Sequence, residues 1–311
     1  MAPQQLVYVH GAGPQKAASD LKHELDLLLF GKDMSTTRVA HYANVRWPAL
    51  SAGPTVAAAG SSRVRRSRAI RRASDPTLTA GQAANEILKA TLGPSAGGGA
   101  SPAAVEDIAG ARRLVQQLYR RADRVARRSS APARSVGGAT IAGITFPDPI
   151  FRFIVGRFAS DVIDYLYGSF KQRMRAPVAA AVLQNPPPKV IVAHSLGTII
   201  LYDVLMDPAL ANLRDNMLIT VGCPLGIGNV QDQLRDGAGR PNPVPPALVG
   251  WSNFADRWDP VAIEQTLRDE FEPPKHFAKD EQVNNPASDN HDLLGYLSVA
   301  IVRDTIVAVA G

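Results

Sequence analysis

A single cysteine, Cys223, serves all 311 residues. One thiol cannot build an internal disulfide framework or any multi-cysteine metal site. Long apolar runs are missing too: the longest are strand-sized, well short of the roughly 20 residues needed to cross a bilayer. The chain reaches Leu6-Val-Tyr-Val9 with no basic segment and apolar core of the secretory kind before it, which leads us to expect a cytoplasmic protein. Internal repeats are absent. His10-Gly-Ala-Gly13 has neither the G-x-G-x-x-G spacing nor the trailing Lys-Ser/Thr of a phosphate-binding loop. Nothing in the sequence requires a cofactor or a metal.

Charge is present but unevenly placed. The net charge is +6, yet residues 51–135 hold 14 Arg and 1 Lys against 5 acidic residues, a balance of +10, which leaves −4 for the remainder. The same segment contains the low-complexity stretches 51–62, 93–102 and 129–138, rich in Ala, Gly, Ser and Pro. Such stretches offer little apolar surface to offset the entropy of ordering. Residues 51–145 therefore read as a partly flexible insertion, a cap or lid on the main domain. Its cluster Arg63, Arg65, Arg66, Arg68, Arg71 and Arg72 suits an anionic lipid surface better than nucleic acid, and a plain solvated face better than either. Within the insertion one helix stands out. Ser101 can cap it, Pro102 suits its first position, and Val105, Ile108, Ala111, Val115, Leu118, Ala122 and Val125 recur at spacings of three and four.

Outside the insertion, strand and helix alternate. Strands are expected at Leu6–Val9, Arg38–Trp47, 189–194, Leu218–Val221 and Leu248–Phe254, and helices at Ala17–Phe30, Asp148–Leu183 with a break near Gly168, after Ser195, from Pro260, and at Asp292–Val309. This order implies an α/β domain with a mainly parallel central sheet and helices on both faces.

The sharpest feature is Lys189-Val-Ile-Val-Ala-His-Ser-Leu-Gly-Thr-Ile-Ile-Leu-Tyr202, an apolar strand that breaks at a serine and resumes as an apolar helix. A serine at such a turn is expelled from both elements, and its hydroxyl becomes available as a nucleophile. Ala193-His-Ser-Leu-Gly197 resembles the G-x-S-x-G nucleophile elbow of the α/β-hydrolase superfamily, with Ala in place of the first Gly. His194 to Asp203 and Gly222-Cys-Pro-Leu-Gly226 are similar to the lipase and serine esterase branch, where Ser usually stands in the position of Cys223. The resemblance covers residues 1–50 and about 150–311. It implies the α/β-hydrolase fold, with Leu6–Val9 taking the place of the family's third strand.

A serine hydroxyl needs a base beside it, and the base needs an acid to hold its tautomer. His291, in Ser288-Asp-Asn-His-Asp-Leu-Leu-Gly-Tyr296, occupies a position that resembles the family's histidine loop; His276 is its competitor, and His194 should point away from the nucleophile. Trp251-Ser-Asn-Phe-Ala-Asp-Arg-Trp-Asp-Pro-Val-Ala262 offers two acids, Asp256 and Asp259. Asp259-Pro-Val resembles the turn that carries the acid in many lipases, and Asp259 is favoured. His10-Gly-Ala-Gly13 resembles the oxyanion loop of bacterial lipases, which implies that the backbone N–H groups of Leu196 and Ala12 hold the developing oxyanion.

Residues 146–170 hold seven of the sixteen Phe and Tyr residues. Phe146, Ile150, Phe151 and Phe158 are candidates for a substrate pocket, although ordinary core packing explains them as well. The expected function is hydrolysis of a small acyl ester through an acyl-enzyme on Ser195. A non-catalytic binding protein on the same fold, a thioesterase and an acyltransferase are the alternatives.

Overall fold

The computed structural model describes residues 5–47, 56–93, 102–129, 148–184, 190–210, 213–214, 216–234 and 242–310. In chain order the first elements are β1 (Leu6–Val9), α1 (Ala18–Phe30), β2 (Thr37–Ala40), α2 (Ala43–Arg46), α3 (Val56–Ala73), α4 (Ala80–Leu92), α5 (Pro102–Ser129), α6 (Asp148–Leu166) and α7 (Lys171–Leu183). They are followed by β3 (Val190–His194), α8 (Leu196–Leu205), β4 (Asn216–Val221), α9 (Gly228–Leu234), β5 (Asn242–Pro243), β6 (Leu248–Asp256), β7 (Phe271–Glu272), β8 (Phe277–Val283), α10 (Leu293–Ser298) and α11 (Ala300–Ala310).

Six strands form one sheet in the order β2-β1-β3-β4-β6-β8, and every pairing in it is parallel. β5 and β7 make a separate two-residue ladder. The central strands β1 and β3 are apolar at nearly every position because both faces of a parallel sheet are covered. Alternate residues serve opposite layers. Tyr8, Val190, Val192 and Ile219 pack with Leu21 and Leu25 of α1 and with Leu297, Val302 and Ile306 of α10 and α11. Val7, Val9, Ile191 and Ala193 face Val178 of α7, Ile199 and Ile200 of α8, and the helices of the Arg-rich segment. The molecule is thus an α/β protein, and among the described residues no helix is long and apolar enough to cross a membrane.

Where it is described, the Arg-rich segment is largely helical. Residues 56–62, read as part of a flexible stretch, open α3, and α4 was not anticipated at all. Thr79 and Gln82 close a capping box at the start of α4, and Ala83, Ala84, Ile87 and Leu88 bury one face of it. Together with α5 and α6 they form a helical layer whose interior holds Ile70, Leu114, Leu118, Tyr119, Phe151 and Val155. Ala111, Val115, Leu118, Ala122 and Val125 form the buried stripe expected of α5. Ser101 and residues 130–147, Phe146 among them, lie outside the described residues. The Arg cluster on α3 does not present one face either. Arg66 is buried, with its guanidinium near the Trp47 ring and Nη2 donating to the Arg46 carbonyl, while Arg65, Arg68, Arg71 and Arg72 are exposed.

Other boundaries moved for reasons of hydrogen bonding. The strand expected to run to Trp47 stops at Ala40, because His10 Nε2 accepts from the N–H groups of Tyr42 and Ala43 and turns the backbone into α2. No helix begins at Pro260, since Asp259 Oδ1 captures the N–H groups of Val261 and Ala262. β8 was not foreseen: between Phe277 and Val283 it reads Ala-Lys-Asp-Glu-Gln, with Asp280 accepting from Asn253 and from the N–H groups of Leu267 and Arg268. Such polarity is usual on an edge strand. The final helix is split at Val299, which is extended.

Candidate active site

Because the strands are parallel, all their carboxyl ends meet on one rim, where ligands of α/β sheets usually bind. Ser195 leaves β3 at this rim with φ 55° and ψ −129°, a conformation that L side chains rarely adopt and that costs about 1–3 kcal/mol. The next residues bend at once into α8. Gly197 allows this, since a Cβ there would lie 2.6 Å from the Val9 carbonyl oxygen and closer still to that of His10. Leu196 N–H sits in the first turn of α8, where backbone donors lack intrahelical acceptors.

The loop after β8 brings His291 to the serine. Its Nε2 is 2.8 Å from Ser195 Oγ, and its Nδ1 is 2.7 Å from Asp259 Oδ2, in the turn after β6. This pattern assigns a proton to Nδ1, donated to Asp259, and leaves Nε2 to accept from the serine hydroxyl. The loop is held by its own backbone: His291 N–H donates to Asp289 Oδ1 at 3.0 Å, and His194 Nε2 donates to the His291 carbonyl at 2.7 Å. Asp259, fully buried, accepts from the N–H groups of Val261 and Ala262 and from Tyr296 Oη at 2.8 Å.

These contacts decide the ionisation states. Burial pushes the Asp259 carboxyl upward, but the charge and hydrogen bond of His291 and the donors from Val261 and Tyr296 outweigh it, so its pKa lies below the ordinary value. For His291, burial favours the neutral ring, yet Asp259 outweighs that and raises its pKa. Burial and the neighbouring Asp259 push the Tyr296 hydroxyl far above its usual range, which keeps it a donor. His194 is driven by burial down to about 3 and stays neutral.

Asp256 and His276, the competitors in the sequence, are placed elsewhere. Asp256 accepts from the N–H groups of Trp258 and Asn285, and its own N–H donates to Tyr296 Oη, so it ties the turn after β6 to the His291 loop. His276 precedes β8 and therefore lies at the opposite end of the sheet. The His10-Gly-Ala-Gly13 turn follows β1 on the same rim as Ser195. His10 is buried, stacks on Tyr42 with ring centroids 4.0 Å apart, and is lowered to about 3 by burial. Gly11 leaves no room for a side chain, as a Cβ there would lie 2.7 Å from His194 Nδ1. Gly13, at φ 88°, donates its N–H to Asp161 Oδ2 of α6 at 2.6 Å.

A cleft of about 240 Å³ opens over Ser195, walled by Gly11 and Ala12 on one side and by Ile154, Arg157 and Phe158 of α6 on another. Of the aromatic candidates among the described residues only Phe158 reaches it. Phe151, fully buried, turns into the helical layer, and Ile150 is 40% exposed at the start of α6; neither lines the cleft. Phe151 lies two turns, about 10 Å, before Phe158 along α6, so it points into the layer short of the cleft. Sequence reasoning missed Ile154, Arg157, Tyr296 and the nearness of His194, whose ring centroid is 4.7 Å from that of His291. It also missed Gly222, at φ 56°, where a Cβ would meet Asp259 Oδ2 at 3.0 Å and His291 at 3.2 Å. Gly222-Cys-Pro-Leu-Gly226 stood out in the sequence, but nothing local tied Gly222 to Asp259 and His291. The chain matches none of the known protein families, curated proteins or solved structures with which it was compared.

Proposed function

We propose that this protein is a serine hydrolase of carboxylic esters, built on the α/β-hydrolase plan of lipases and serine esterases. The observation that carries this reading is the continuous chain Ser195 Oγ, His291, Asp259 Oδ2 at 2.8 and 2.7 Å, starting from a serine held in a strained turn. A binding protein has no use for that strain. The parallel sheet supports the reading, as does the order nucleophile, acid, base along the chain.

In the proposed reaction Ser195 Oγ attacks the acyl carbon while its proton passes to His291 Nε2. The carbonyl oxygen becomes an oxyanion facing the N–H groups of Leu196 and Ala12. His291 then returns the proton to the departing alkoxide, which leaves the acyl group on Ser195. Water attacks this ester, gives its proton to His291, and the serine oxygen recovers it as the acid departs. Asp259 stabilises the imidazolium at both stages. In this reading α3 to α6 act as a fixed cap, since α6 supplies a wall of the cleft and is bonded to the Gly13 turn through Asp161.

Labelling with a fluorophosphonate probe, alongside turnover of 4-nitrophenyl esters from acetate to palmitate, tests the proposal. Wild type should label and turn over, and Ser195→Ala should lose on the order of 10⁴-fold or more in kcat. Equal labelling of wild type and Ser195→Ala would sink it.

A further inference from the structure

α6 sets one guanidinium into the cleft over Ser195. Arg157 covers the oxyanion turn so closely that a Cβ on Gly13 would collide with its Nε and Nη2. The other arginines drawn into the helical layer are all engaged. Arg46 pairs with Asp161 and Asp164, Arg152 donates to Asp123 at 2.6 Å and to the Leu78 carbonyl at 2.9 Å, and Arg66 donates to the Arg46 carbonyl. Arg157 is different. Among the described residues its contacts are the Phe153 ring, 5.9 Å from Cζ, and the more distant charge of Asp289 across the cleft. Burial lowers its pKa and Asp289 only partly opposes that, as expected of a half-buried cation with no anion against it.

The carboxylates that share the cleft are already occupied. Asp289 accepts the His291 N–H, and Asp292 caps α10 by accepting from Gly295 N–H at 2.8 Å. Arg157 and Pro14 also line a second, more apolar groove of about 180 Å³ with Trp47, Ile70 and Phe153. The guanidinium therefore stands where the serine cleft and the apolar groove meet.

We propose that Arg157 selects esters carrying an acidic group, a carboxylate or phosphate-like anion on the acyl part, by pairing with that anion while the ester carbonyl lies at Ser195 and the intervening chain lies in the cleft between them, against Ile154 and Phe158. This rests on the ester hydrolase reading above. The planar guanidinium offers paired donors that match both kinds of anion, and a half-buried site strengthens the pairing.

The test compares two acyl chains of equal length, mono-4-nitrophenyl adipate and neutral 4-nitrophenyl hexanoate, with the 4-nitrophenyl ester of 6-phosphonohexanoate distinguishing phosphate-like from carboxylate anions. Wild type should prefer an anionic ester by about tenfold or more in kcat/KM. Arg157→Met should lower that preference about 10- to 100-fold, mainly through KM, and Arg157→Lys should recover part of it. Reading the ratio within each protein cancels any general loss from misfolding. A wild type without preference, or an Arg157→Met variant that keeps it, would overturn the inference while leaving the hydrolase reading intact. Conversely, undiminished turnover of all three esters by Ser195→Ala would overturn the hydrolase reading. Calorimetric binding of adipate to that same inactive background should be lost on adding Arg157→Met, and binding that persists unchanged would again refute the role of Arg157.

Discussion

Two buried polar clusters lie about the same turn of chain and are built in opposite ways. Ser195, Asp259 and His291 come from separate strand ends and loops and Tyr296 from α10, and one side of the cluster opens to the cleft. Arg46, Ser160, Asp161 and Asp164 come from α2 and α6 and are sealed on all sides, with Arg46 only 1% exposed. The first holds a proton that can move from serine to imidazole. The second holds fixed charges: burial lowers Arg46 to about 10, still protonated at neutral pH, and raises Asp164 against the pull of Arg46. They meet at the His10-Gly-Ala-Gly13 turn, where Asp161 takes the Gly13 N–H. The proposed chemistry would use a cluster left open on one face, and the placing of that face rests on a second cluster that is closed.

The comparison is broken most severely at Asp259. Asp259→Asn should lower kcat by about 10⁴-fold by allowing the wrong imidazole tautomer, with little change in melting temperature. It should also move the acid limb of kcat/KM. In wild type the raised pKa of His291 predicts that activity should fall as pH drops through a value above the free imidazole's, about 6.5, because the protonated ring cannot accept the serine proton. Without the aspartate charge, the desolvation that remains shifts that limb to lower pH, which a pH profile of the residual activity will show. An unchanged limb would mean that Asp259 does not control His291.

Breaking the sealed cluster should do the reverse. Arg46→Met leaves Asp161 and Asp164 buried without their cation, and should cost about 3–5 kcal/mol in urea unfolding. Activity per folded molecule should fall far less than in Asp259→Asn. The smallest effect sharpens the contrast: Tyr296→Phe removes one donor from Asp259 and should reduce kcat about tenfold, in line with about 1–2 kcal/mol for a hydrogen bond to a buried charge. A variant indistinguishable from wild type in steady-state kinetics would show that the backbone donors to Asp259 suffice.

The parts of this molecule legible in sequence are those governed by local pattern. Apolar β1 and β3, the break at Ser195 and the stripe on α5 each follow from periodicity or from a single sharp turn. What was not legible depends on distant partners. α4 buries two alanines beside Ile87 and Leu88, a short apolar face among small and polar residues, and β8 hides its strand character under charges, of which Asp280 bonds to β6 and the chain before it. Asp256 and Asp259 stand three residues apart, and the Asp259-Pro-Val turn favoured Asp259 in the sequence; the bond to His291 Nδ1 depends on a loop 32 residues away. Tyr296 reads as one more core residue of a terminal helix, and Arg157 as one more arginine among many, until the fold sets each beside a charge or a cleft.

Gly197 has a further consequence. Where α8 meets β1, backbone lies against backbone with no side chain between, so the distance from the serine to the His10-Gly-Ala-Gly13 turn is fixed by the width of two peptide chains. Directed evolution of this protein would find that floor nearly immutable. The wall contributed by α6 consists of side chains, and altered specificity would have to be cut there.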